Sequence, residues 1–270
     1  MRIALFNIDS LASNAAVRTF IDREKDNIVL LGQSPPFRRV HGSSLAQRWR
    51  HIKRSGFGFS SFLAHNFQIP RHAGRFVSNS RKLIGQCNAH GIRVEPIEDV
   101  NAPEVLRLLT ELEVDLIVSC YFDQIFKQPI INLPSHGILN VHSSLLPEHR
   151  GPMPVIHNCL DTAPSFGVTV HAVDTHIDTG AIFAQRSYQP PPGRSVLAMM
   201  TDLHDLGVEA LFDVIDEIRS GKRPVEIKSQ DGGSYESFPD RETMEKFRAT
   251  GRKLYDRGDV ARAFRTPMGF

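Results

Sequence analysis

Two short apolar runs, Asp115–Cys120 (DLIVSC) and Gly137–His142 (GILNVH), constrain this chain more than any other feature. Each is mostly aliphatic, with too little alternation for one wet face. Short runs of this kind fit strands covered on both sides, the situation of central strands in a parallel sheet. Parallel strands need crossovers, and helical signals alternate with strand signals through the first half of the chain. Strands are expected at Arg2–Asn7, Asn27–Leu31 and Ile92–Val94. Helices are expected at about Ser10–Arg23, at Gly74–His90 and at Pro103–Leu112. Phe166–Val173 and Ala181–Ser187 read as a strand pair joined by the loop DTHIDTG. A long amphipathic helix follows, with Ser195 as N-cap, Gly221 just past its end and Gly207 as a break point. Arg223–Lys228 reads as one more short strand. Asp240 caps a final helix running to about Ala249.

The expected fold is therefore α/β, a mostly parallel central sheet with helices on both faces. Residues 1–222 would form the main domain and 223–270 a short C-terminal extension. Residues 33–71 interrupt the rhythm with Pro35, Pro36, a GSS turn, a short basic helix near Leu45–Lys53 and the stretch GFGFSSF. This segment reads as an insertion on the edge of the sheet. Its GxG follows no strand and lacks a third glycine, so it is a poor dinucleotide fingerprint.

Charge is distributed unevenly. Between Asn27 and Val94 there is no Asp or Glu, while Arg38, Arg39, Arg48, Arg50, Lys53, Arg54, Arg71, Arg75, Arg81, Lys82 and Arg93 all fall there. Outside the window the chain has a net charge of −9. A block of one sign draws in ligands of the other, so an anionic substrate is one reading. A solvated face, or a basic patch meeting an acidic one in a homodimer, is the other. Cys87, Cys120 and Cys159 are too scattered for a disulfide framework or a zinc ribbon, which points to a cytoplasmic setting. No apolar run approaches the roughly 20 residues of a membrane span.

The chemistry-bearing residues crowd into Asn140–Pro154 and His171–Gly180. Asn140 and His142 are two apart on one strand and share a face near its carboxyl end. An amide and an imidazole side by side can hold an oxyanion and move a proton. Asp178, in a turn that Gly180 permits, is a carboxylate that could orient the imidazole. The plainer reading makes Asn140 and His142 turn residues with ordinary partners. A third reading makes His171, Asp174, His176 and Asp178 metal ligands, although their spacing matches no helical ligand pair. No metal is expected. Ser143 and Ser144 lack the elbow of a nucleophilic serine.

The run NVHSSLLPEHRGPMP, with the Asp of IDTG 36 residues after His142, resembles the signature of the 10-formyltetrahydrofolate-dependent formyltransferases. The resemblance covers about Asp115–Ser187 and, more weakly, Arg2–Asn7. It implies a Rossmann-like formyltransferase fold and an N-formyltransferase with 10-formyltetrahydrofolate as co-substrate. It places the family's catalytic Asn, His and Asp on Asn140, His142 and Asp178, with His142 protonated and kept so by Asp178. It implies a folate slot near Phe122, Gln124, Ile125, Phe126, Val173 and Asp174. Gln124 stands where purine-pathway members carry arginine. It also implies acceptor contacts from Arg150, Gly151 and His171.

Departures from the family bear on the acceptor. The glycine-rich phosphate loop of the purine-pathway members is replaced here by Asn7-Ile8-Asp9-Ser10-Leu11. The β-barrel of the methionyl-tRNA enzymes does not fit the residues after Lys222, and the regulatory domain of the formyltetrahydrofolate hydrolases is not expected ahead of the first strand. The expectation is a small anionic amine, such as a nucleotide-linked amino sugar. An aminoacyl-tRNA acceptor and a hydrolase releasing formate are the alternatives.

Overall fold

Side chains of the first strand, β1 (Ile3–Ile8), divide between two apolar layers: Ile3 and Leu5 enter one, Ala4 and Phe6 the other. That is the period-two pattern of a strand with no solvent face. β4 (Leu116–Cys120) and β5 (Ile138–His142) divide the same way. Leu116, Val118, Leu139 and Val141 lie on the first side, Ile117 and Ile138 on the second. In this computed structural model, which describes residues 1–38, 42–73 and 83–259, they join β2 (Ile28–Ser34), β3 (Arg93–Pro96), β6 (Gly167–Ala172) and β7 (Ile182–Ser187). The seven strands make one sheet in the order β3-β2-β1-β4-β5-β6-β7. The pairings from β3 to β5 are parallel, and β6 and β7 are antiparallel. Helices α1 (Asn14–Glu24) and α6 (Val196–Arg219) pack into the first layer, and α4 (Pro103–Glu111) into the second. The expected mostly parallel sheet with helices on both faces is the observed architecture.

The expectation for 33–71 holds for its short basic helix, which runs from Ser44 to the kink at Gly56, and needs correction beyond it, where a second helical stretch follows. The segment is dominated by α2 (Ser44–Ala73), a helix kinked at Gly56, where φ is 82°. GFGFSSF lies inside that helix. Phe59 and Phe62 are fully buried in the same core as β1 and α6. Truncating a buried Phe to Ala costs about 3–5 kcal/mol. Asn66, also fully buried, ties α2 to the carboxyl ends of the central strands. Its carbonyl accepts from Leu11 N at 2.9 Å and its side-chain oxygen from Ala12 N at 3.0 Å. Its amide donates to the Tyr121 hydroxyl at 2.8 Å. Gly56 is the non-helical point at which the two helical stretches of α2 meet.

Two further expectations fail for identifiable reasons. α6 does not break at Gly207. A Cβ there would stand 2.4 Å from Val141 Cγ1 and 2.8 Å from Val168 Cγ2, so the glycine lets the helix lie directly on β5 and β6. Arg223–Lys228 is not a strand; it makes one bridge, Ile182 with Lys228, and Pro224 lacks an N–H for a ladder. The caps hold as expected. Ser195 Oγ accepts from Ala198 N at 3.2 Å, and Asp240 caps α7 (Arg241–Ala249) by accepting from Thr243 N at 2.8 Å. The first part of the helix expected over Gly74–His90 lies outside the described residues; its described part, α3, runs Leu83–Ala89. Among the described residues no helix is long and apolar enough to cross a membrane.

Candidate active site

The strand order reverses between β1 and β4, and in open α/β sheets such a switch opens a crevice beyond the carboxyl ends. A cavity of about 1090 Å³ lies there. Its floor comes from Ile8, the segment Ser119–Phe126 and Asn140–Ser143. Its other walls come from the loop after β6, the N-terminal half of α2 and residues 235, 237 and 238.

Along β5, Ile138 enters the second layer, so Asn140 and His142 share its side of the sheet. The antiparallel register sets Asn140 opposite His171 on β6. Their side chains meet, with Asn140 Nδ2 3.1 Å from His171 Nε2. His171 Nδ1 stands 2.7 Å from the Ala172 carbonyl, which can only accept. The neutral ring therefore carries its hydrogen on Nδ1, and Nε2 accepts from the Asn140 amide. One of the two Asn140 N–H bonds is thus engaged.

His142 is fixed by the same reasoning. Its Nε2 lies 2.9 Å from the His149 carbonyl, so Nε2–H donates there and Nδ1 holds the lone pair of the neutral ring. That lone pair faces Asp178, whose Oδ2 is 3.6 Å away, a charge contact rather than a hydrogen bond. Asp178 Oδ1 is also 3.6 Å from His171 Nε2, and Oδ2 accepts from Gly151 N at 2.8 Å. Burial pushes His142 below its ordinary pKa further than the Asp178 carboxylate lifts it. Burial alone would raise the Asp178 carboxyl. The nearby imidazoles and the Gly151 N–H outweigh it and hold Asp178 well below the usual carboxylate range. The two groups are coupled: burial disfavours charge on the imidazole, and the carboxylate beside it favours that charge.

The return of Asp178 to β5 across the intervening chain has a local cause. Asp174 folds the DTHIDTG loop on itself, accepting from His176 N at 2.9 Å and from Thr179 Oγ1 at 2.8 Å. Gly180 then presses against β6, where a Cβ would stand 2.0 Å from the Ala172 oxygen. Asp178 sits in left-handed backbone at φ 53°. Tyr121 and Met153, also left-handed, line the same cavity, and left-handed His149 contacts His142 through its carbonyl. Non-glycine residues hold this conformation at a cost of about 1–3 kcal/mol each, and such outliers gather at functional sites.

The six residues expected in a folate slot all line the cavity, but not alike. Phe122 and Phe126 pack on Phe6, with ring centroids 5.3 and 5.7 Å away. Ile125 is exposed at the rim, and Val173 packs on the second core layer. Gln124 braces the neighbouring loops, donating to Ile97 O at 2.7 Å and accepting from Val100 N at 2.8 Å. Asp174 spends its carboxylate within its own loop. Of the expected acceptor contacts, Gly151 and His171 line the cavity. The Arg150 guanidinium instead turns to the C-terminal segment and donates to the Gln230 carbonyl at 2.5 Å.

Sequence reasoning missed Tyr121, Met153 and His204, which also line the cavity, and did not assign the basic window a position. Arg38, Arg50, Lys53 and Arg54 from that window face the cavity. Arg48 stacks on Phe37. Arg39, Arg75, Arg81, Lys82 and the Arg71 side chain lie outside the described residues.

Fold and cluster together are those of an α/β protein with an amide, two imidazoles and a carboxylate gathered at the carboxyl ends of its strands. Residues 73–215, more than half of the 270-residue chain, match the family profile described as formyl transferase, and the chain belongs to that family. Methionyl-tRNA formyltransferase of Geobacter metallireducens is 35% identical over 132 residues, which is 49% of this chain and 42% of that protein. Phosphoribosylglycinamide formyltransferase from Bacillus halodurans shares the fold at TM-score 0.56 and 18% identity, covering 84% of this chain and 100% of that one. The formyltransferase PseJ from Anoxybacillus kamchatkensis was solved with UDP-4,6-dideoxy-4-formamido-L-AltNAc and tetrahydrofolate. It matches at TM-score 0.50 and 24% identity, over 66% of this chain and 88% of that one.

Proposed function

We propose that this chain transfers a formyl group from 10-formyltetrahydrofolate to the amine of a small anionic acceptor, with Asn140, His142 and Asp178 as its catalytic residues. The observation that carries the reading is the meeting of one amide, one imidazole and one carboxylate at the cavity floor, beside an apolar slot. Phe122, Ile125, Phe126 and Val173 offer the flat apolar lining that a pterin ring requires. When bound, the folate supplies a formyl carbon activated by its nitrogen leaving group.

The remaining work falls to the chain itself. The second N–H of Asn140 is the donor for negative charge developing on the formyl oxygen. Nδ1 of His142 takes the proton that the attacking amine must lose and returns it to the departing nitrogen. Asp178 does not need to change protonation; it stabilises the imidazolium while it lasts, as the carboxylate of a catalytic triad does. The cationic wall of Arg38, Arg50, Lys53 and Arg54 suits an acceptor bearing phosphate or carboxylate. In this reading 1–222 is the catalytic domain with 33–71 as its basic insertion, and 223–270 is an extension that contributes to the cavity wall.

Incubation of purified protein with 10-formyltetrahydrofolate and a panel of amines tests this. Acceptor-dependent tetrahydrofolate release is expected, strongest with anionic amines. Release that ignores the amine would favour a hydrolase, and no release at all would reject the reading. An aminoacyl-tRNA acceptor is a second reading, supported by the Geobacter metallireducens relative and by exposed Trp49 beside Arg48 and Arg50. Binding to charged tRNA that weakens steeply with salt would mark it.

A further inference from the structure

His142 owes its tautomer to a single backbone oxygen, that of His149. His149 holds left-handed backbone at φ 57°, a conformation that does not sustain itself in a non-glycine residue. The structure shows what holds it. The His149 side chain is buried, with Nε2 2.8 Å from Asp161 Oδ2 and Nδ1 3.4 Å from Glu236 Oε2. The second contact lacks hydrogen-bond geometry on both sides: His149 Nδ1 and Glu236 Oε2 are both buried without a hydrogen-bond partner. Two unmet polar atoms face each other across 3.4 Å; a ring carrying hydrogen on both nitrogens would donate to Asp161 and, after a small closing movement, to Glu236.

Backbone contacts bind the same two segments. His149 N donates to Ser234 Oγ at 3.0 Å, Arg150 N to Ser234 O at 2.9 Å, and Glu236 N to Arg150 O at 2.9 Å. One residue further on, Gly151 N–H holds Asp178. The loop 149–151 therefore sets both members of the His142–Asp178 pair, and segment 234–236 sets the loop. Tyr235 and Ser237, on either side of Glu236, line the cavity.

We propose that His149, clamped between Asp161 and Glu236, is the positioning residue for His142, and that Glu236 links occupancy of the cavity to that clamp. An acceptor touching Tyr235 or Ser237 closes the His149–Glu236 gap, with a proton taken from solvent onto His149 Nδ1 to make that hydrogen bond, and fixes the His149 carbonyl on His142 Nε2–H. The inference about His149 stands on geometry alone; only its effect on turnover rests on the activity proposed above.

The test uses ¹⁵N-histidine NMR on the full chain, with the His142 resonances assigned by their loss in His142→Asn. The parent is expected to show His142 as the Nε2–H tautomer. His149→Asn tolerates the left-handed backbone but cannot span both carboxylates. It is expected to give a mixed tautomer and, with an active acceptor, a kcat about tenfold lower at unchanged KM for the folate. Asp161→Asn, at a half-exposed position, tests the clamp without burdening the core and is expected to shift the tautomer in the same direction by less. A His142 tautomer unchanged in both variants overturns the proposal, as does a change in KM alone. A parent with the fixed tautomer but no formyl transfer would overturn the activity while leaving the positioning role intact.

Discussion

The two walls of the cavity are built in opposite ways. On the β5–β6 side, His142 and His171 are buried and each ring nitrogen faces a named partner. On the α2 side, Arg50, Lys53 and Arg54 are exposed, and Arg54 rests on the Phe238 ring rather than on a carboxylate. Proton transfer needs donors fixed in advance and shielded from water, where a misplaced dipole is costly. Capture of an anion needs only charge within a Debye length, and flexible side chains deliver that. One wall is suited to chemistry and the other to attraction.

If that division is right, the largest losses come from the fixed wall. His142→Ala and Asp178→Asn should each lower kcat by roughly 10²- to 10⁴-fold while folate affinity, read by calorimetry, stays near the parent value. The rate should also rise with pH through a pKa below 6.5 and then level off, because His142 must be neutral to act and burial lowers its pKa. A rate that falls between pH 5 and 7 would break the assignment.

The fixed wall also carries a stability signature. His204 lies beneath the cavity with Nδ1 2.6 Å from the Met200 carbonyl, and burial pushes its pKa down to about 4. The unfolded chain takes up this proton more readily than the folded one. Stability is therefore full above pH 6.5 and declines as pH falls towards 4, by about 3 kcal/mol in all. Urea unfolding across that range should show the decline, and His204→Gln should flatten it. Gly207→Ala comes next. Overpacking against Val141 and Val168 should cost about 1–3 kcal/mol in the same assay, since α6 backs the wall from behind.

The smallest effect belongs to the cationic wall. Lys53→Gln with Arg54→Gln should raise KM for an anionic acceptor by about tenfold, on the order of 1 kcal/mol, with kcat unchanged. The penalty should fade in high salt. A drop in kcat instead would mean that the two walls are not separate in function.

Much of the fixed wall was legible because it follows strand rules. The apolar runs gave β4 and β5, and their period of two put Asn140 and His142 on one face. Asp178 could be proposed as a partner, but its placement depends on Asp174 folding the loop and Gly180 pressing on Ala172, and neither contact has a sequence period. Met153 in left-handed backbone leaves no sequence trace, because methionine does not favour that conformation. Gly207 was read as a break but marks a close approach, and GFGFSSF was read as part of an insertion on the sheet edge but carries Phe59 and Phe62 into the core. Both errors share one cause, since local propensity says nothing about what packs against the residue.

The bridge between loop 149–151 and segment 234–236 also bears on the order in which the molecule can be assembled. His149 and Ser234 are 85 positions apart, so during synthesis the strands and the side chains of Asn140 and His142 leave the ribosome well before segment 234–236. Contacts at such separations form late, after the entropy of closing the intervening chain has been overcome. A nascent chain halted between these two points would hold β5 and His142 without the segment that, in the clamp proposed above, keeps the imidazole in one tautomer.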